Sequence, residues 1–140
     1  MAYFEDLTPY AYYKFRDEHN PFKGKETFNI GWLSIEKEYN KGSVNPLALD
    51  KLYLLLINDD SNTNKNLKNK MRGSHVCEYC EYKLEWDEIV KQGCLGNGEF
   101  HIPDPDDSNK VYVAPALICH YIRKHDYKPP DAFINAVLSL

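Results

Sequence analysis

Phe28, Ile30 and Trp32 alternate with Asn29 and Gly31, the period of two that belongs to a strand with one buried face. A polar run from Glu36 to Gly42 then reads as a loop or a single turn. Asn45-Pro46 supplies a side-chain cap and a first helical residue with preset φ, which predicts a helix over Leu47–Ile57. Leu47, Leu49, Leu52, Tyr53, Leu54, Leu55, Leu56 and Ile57 surround that helix almost completely, so it is expected in the interior. From Asn58 to Lys70 the chain turns to Asn, Asp, Ser and Lys, with Leu67 as the lone large apolar residue. Such a stretch cannot bury enough surface to offset its ordering entropy, and a mobile loop is expected over residues 59–70.

Further on, Tyr82 to Val90 mixes Leu84, Trp86, Ile89 and Val90 with acids and suits a short strand or a helical turn equally. Gly93-Cys94-Leu95-Gly96-Asn97-Gly98 predicts a tight turn. Glu99–Ile102 and Lys110–Val113 read as two strands of a hairpin joined by Pro103-Asp104-Pro105-Asp106-Asp107-Ser108-Asn109. That loop is not a calcium-binding EF-hand, because its twelfth position from Asp104 is Pro115 where a bidentate Glu is required. Pro115 instead predicts a helix start, with Leu117, Ile118, Tyr121 and Ile122 on one face. Lys128-Pro129-Pro130 stops it, and Phe133, Ile134, Val137 and Leu138 mark a last helix. The first 25 residues, rich in Tyr and Phe and broken by Pro9, Pro21 and Gly24, read as a short turn-rich or partly helical lid whose rings pack on the rest.

With 140 residues, 14% of them aromatic, the chain can bury a core and is expected to form one domain. Its parts are an N-terminal half over 1–58, the loop over 59–70 and a metal-binding half over 71–140. A formal charge of -4 argues against general phosphate binding and favours a basic protein partner. The opening residues lack the basic and apolar regions of a secretory signal, and no run of about 20 apolar residues occurs. A cytoplasmic protein without a membrane anchor is expected, with Cys77, Cys80, Cys94 and Cys119 as thiols or ligands rather than disulfides.

Candidate chemistry concentrates in the second half. Cys77-Glu-Tyr-Cys80 followed by His120 and His125 is a ligand set suited to zinc. A Cys-x-x-Cys knuckle, a hairpin and a helix in that order predict an α+β fold with a treble-clef-like zinc site, packed on the N-terminal strand and buried helix. On an ideal helix, residues five apart project about 140° from each other, so one ion reaches both imidazoles only if the helix loosens near His125. His75 is the rival ligand, since an extended chain puts it on the same face as Cys77. Cys94 and Cys119 are reserves, the latter read mainly as a small buried hydrophobe.

Tyr3-Phe-Glu-Asp-Leu-Thr-Pro-Tyr10, Gly31-Trp-Leu33, Arg72-Gly-Ser-His-Val-Cys-Glu-Tyr-Cys80, Gly96-Asn-Gly-Glu99 and Ala114-Pro115 through Pro130 together resemble a family of small bacterial proteins of unknown function. The resemblance implies a bacterial cytosolic protein with a Cys-x-x-Cys metal site, and no reaction. The leading functional expectation is a non-catalytic, zinc-stabilised interaction protein, such as an immunity or regulatory partner of another protein. In such a protein His101 is an ordinary strand residue. The alternative is a metal-dependent nuclease of the His-Asn-His kind, with His101 as general base and Asn109 and His120 as companions.

Overall fold

The computed structural model describes residues 3–10, 25–57, 67–72, 79 and 96–140. Its sheet has four strands in the order β1-β4-β3-β2, where β1 is Glu26–Asn29, β2 Leu67–Arg72, β3 Gly96–Pro103 and β4 Lys110–Pro115. The predicted hairpin is β3 and β4, antiparallel, with His101 opposite Val113 and Glu99 opposite Pro115. In its loop, Asp104 Oδ1 accepts the Asp106 and Asp107 N–H groups at 2.8 and 3.1 Å, and Oδ2 accepts the Tyr112 hydroxyl at 2.6 Å. The carboxylate thus closes its own turn. β1 lies parallel to β4, with Asn29 beside Val113, so the start of the chain completes a sheet built mainly by its second half.

Two stretches expected to be loop or turn belong to strands instead. Residues 67–70, assigned to a mobile loop, belong to β2, which pairs antiparallel with β3 through Leu67↔Phe100 and Arg72↔Gly96; residues 58–66 lie outside the described residues. Gly96, Asn97 and Gly98, assigned to a tight turn, open β3. The cause is common to both: a ladder satisfies backbone N–H and C=O groups whatever the side chains, so pairing overrides weak local preference.

The sheet has two different faces. Phe100, Ile102, Tyr112 and Ala114 join the main core with Ile118, Tyr121, Tyr127, Phe133 and Val137. Val111 and Val113 point the other way, against Tyr10 and Trp32. Among the described residues three helices serve the first face: α1 (Pro46–Ile57), α2 (Ile118–His125) and α3 (Asp131–Leu138). Asn45 caps α1 as predicted, its Oδ1 accepting the Leu47 N–H at 3.0 Å. The expectation that α1 is wholly interior fails, since Ala48 and Leu52 are fully buried whereas Leu47 and Leu54 are each 63% exposed. Packing from one side covers the i, i+4 pair and leaves the opposite i, i+7 pair outside. Similarly, Pro115 stays in β4 opposite Glu99 and α2 starts only at Ile118. The last helix starts where Pro129-Pro130 placed it and buries Phe133, Ile134, Ala136 and Val137.

A strap, Tyr3–Tyr10, covers part of the second face through bridges Phe4↔Trp32 and Pro9↔Phe28. Its Asp6 carboxylate accepts the Gly31 N–H at 2.9 Å and the Tyr127 hydroxyl at 2.7 Å. Gly31 has φ 75°, and a Cβ there would stand 3.0 Å from the Ile118 side chain, so this crossing requires glycine on two grounds. The remainder of the predicted aromatic lid, residues 11–24, and the segment Tyr82–Val90 lie outside the described residues. The result is a small α+β domain with helices on one side of the sheet and the strap on the other.

Candidate metal centre

Helix α2 brings two of the predicted ligands together. His120 Nε2 and His125 Nε2 are 3.2 Å apart, with ring centroids separated by 5.0 Å and planes inclined at 76°. The last turn explains how residues five apart meet. The Asp126 N–H bonds back five residues to the Tyr121 carbonyl rather than four, with Asp126 itself in the left-handed region at φ 54°. The Tyr127 N–H reaches the same carbonyl at 3.2 Å. A turn closed by an i→i−5 bond holds more residues than an α-turn, which rotates His125 back toward His120. The Tyr39 hydroxyl donates to the His125 carbonyl at 2.8 Å, and Gly42 N–H and Lys128 N–H bond to Asp126 O and Asn40 O at 3.0 and 2.9 Å. The N-terminal half therefore holds the widened helix end.

The spacing has chemical meaning. Two imidazole nitrogens on one tetrahedral zinc, each about 2.0–2.1 Å from the ion, stand about 3.3 Å apart. Without metal, two neutral rings at this distance share a proton, one donating and one accepting. Burial, followed by the charges of His125 and Lys124, holds the His120 imidazole down at about 4. A neutral ring with its lone pair available is the form a metal takes.

Cys77, Cys80, His75 and Cys94 lie outside the described residues. Tyr79, between the two thiols in sequence, is described. Its ring packs on His125 at 5.2 Å between centroids, edge-on to Tyr39 at 5.5 Å and to Tyr121 at 6.2 Å. Its hydroxyl donates to Ser34 O at 2.7 Å. Among the described residues no group of three His, Cys, Asp or Glu side chains converges as a metal cluster. Cys119, the reserve, is buried in the main core, and burial pushes its thiol up to about 12, so it behaves as a small hydrophobe.

His101 has different company. Its register with Val113 sets it on the strap side of the sheet, away from α2. Its Nε2 is 3.9 Å from Glu99 Oε2, and Glu99 Oε1 accepts the Tyr10 hydroxyl at 2.9 Å. All of Glu99 and His101 but 7% and 6% is buried. His101 thus lies on the face of the sheet opposite His120. The Glu99-x-His101 spacing was readable as one strand face, whereas Tyr10, 89 residues away from Glu99, and the tyrosines around His125 carried no local signal.

No helix among the described residues is long and apolar enough to cross a membrane. No curated protein and no solved structure matches the chain. A family model does: residues 2–138 match the domain of unknown function DUF7919, and the chain belongs to that family.

Proposed function

We propose that this chain is a zinc-stabilised protein that acts by binding another protein, with Cys77, Cys80, His120 and His125 as its four ligands. The observation that carries the reading is the 3.2 Å approach of the two imidazole nitrogens, beside a tyrosine that belongs to the Cys-x-x-Cys sequence. Two thiolates and two imidazoles complete a tetrahedron and leave no position for substrate or attacking water, which makes the site structural. The element order knuckle, hairpin, helix suits a treble-clef-like arrangement. The formal charge of -4 favours a partner with a basic surface.

The nuclease alternative gains no support from His101, which pairs with Glu99 on the other side of the sheet. Elemental analysis of protein purified without added metal tests the zinc reading, with about one zinc per chain expected. Cys77→Ser should abolish that content, whereas Cys119→Ser should keep it. A fully folded wild-type protein without metal would overturn the proposal.

A further inference from the structure

The end of α2 also borders a groove built from stretches far apart in the chain. Lys41 bridges to Tyr127 and the Gly42 N–H donates to Asp126 O at 3.0 Å, which fastens the segment before α1 alongside the last turn of α2. Between them lies a space of about 620 Å³. Val44, Leu49 and Ile122 give it an apolar floor, the first two half-buried against the main core and Ile122 buried in it. Lys41, Arg123 and Asp126 stand exposed at its rim. A Cβ on Gly42 would meet Lys128 Cδ at 2.9 Å, so the stem of that lysine lies across Gly42 and sets a further cation beside the rim.

This rim is opposite in sign to the chain as a whole, whose formal charge is -4: Lys41, Arg123 and Lys128 outnumber the single carboxylate of Asp126. Cations in the last turn of a helix ordinarily answer its dipole, which accounts for Arg123. The dipole does not account for Lys41 and Lys128, which come from outside the helix, or for apolar side chains left half-covered between them. A small-molecule site usually buries most of its ligand, and a groove with exposed Lys41, Gly42, Ser43, Arg123 and Asp126 along its lining does not. A peptide strand needs only a floor for one side chain and charges to match its neighbours.

We propose that this groove binds an acidic peptide segment of a partner protein, with an apolar side chain on Val44, Leu49 and Ile122 and flanking Asp or Glu carboxylates meeting Lys41 and Arg123. The site takes no part in the zinc reading, since none of its lining residues is a proposed ligand.

Selection of short random peptides displayed on phage against the full chain tests this, followed by fluorescence anisotropy on the enriched peptides. Enrichment of acidic peptides that carry an apolar residue is expected, with binding lost when that residue is changed to Ala and weakened as salt rises. Lys41→Glu combined with Arg123→Glu should weaken binding on the order of tenfold, because two exposed ion pairs are removed and their charges reversed. Lys124→Glu changes the same charge outside the groove lining and should cost less than about threefold. Circular dichroism checks that the variants fold; should the reversed pair fail, Lys41→Gln combined with Arg123→Gln decides, with a loss of about threefold expected. Enrichment of neutral or basic peptides, no enrichment, or unchanged affinity in the groove variants overturns the proposal. An equal loss in Lys124→Glu overturns it too, because diffuse charge rather than the groove would then hold the peptide.

Discussion

The two faces of the sheet each enclose histidine, and they handle it differently. On the strap side, His101 lies 3.9 Å from the Glu99 carboxylate, which Tyr10 also engages. An imidazole beside a carboxylate has its electrostatic complement in the protein itself. On the helix side, His120 and His125 face one another, with their Nε2 atoms 3.2 Å apart. Two lone-pair donors at that spacing call for a shared proton or a metal ion. The contrast is between a histidine set beside a carboxylate and two imidazoles set against each other, a difference of neighbours.

His120→Ala against His101→Ala is the sharpest way to break the comparison. The first removes a proposed ligand and should weaken zinc binding by more than about 100-fold, beyond what outer contacts usually contribute. The second should leave zinc content intact and destabilise the domain by about 1–3 kcal/mol, because it strips a neighbour from a buried carboxylate. Equal zinc content in both variants would erase the distinction.

Tyr10→Phe probes the strap side alone. It leaves Glu99 buried without the 2.9 Å hydroxyl bond and should cost about 1.5–3 kcal/mol in denaturant unfolding. Zinc affinity should not change, and a parallel loss of zinc would show that the faces are coupled.

Gly31→Ala acts where the faces join, since Gly31 donates to Asp6 of the strap and abuts Ile118 of α2. A left-handed alanine should cost about 1–2 kcal/mol, with the Ile118 contact adding to it. A neutral result would mean that the crossing can relax.

The smallest effect concerns Asp6. Burial raises its pKa above the usual 3.8, outweighing the lowering by the Gly31 and Tyr127 bonds. A carboxyl whose folded pKa is raised contributes stability that is full below the unfolded value and is lost as pH rises through the folded one. The difference in unfolding free energy between wild type and Asp6→Asn should therefore shift against wild type as pH rises from 3.8 upward. A difference independent of pH would remove this account.

Local chemistry was legible in the sequence itself. Asn45-Pro46 marked the start of α1, Pro129-Pro130 the start of α3, and two apolar stretches around a Pro- and Asp-rich loop the β3–β4 hairpin, because caps, fixed φ and turn residues act over a few residues. The ligand candidates were also legible as residue types at suggestive spacings. Tertiary structure decided the rest. Pairing with β3 made a strand of residues that look like loop, and one-sided packing exposed Leu47 and Leu54. An i→i−5 bond, held by Tyr39 from the opposite half of the chain, turned His125 toward His120. Those outcomes depend on contacts between residues tens of positions apart, whose free energy no local window of sequence contains.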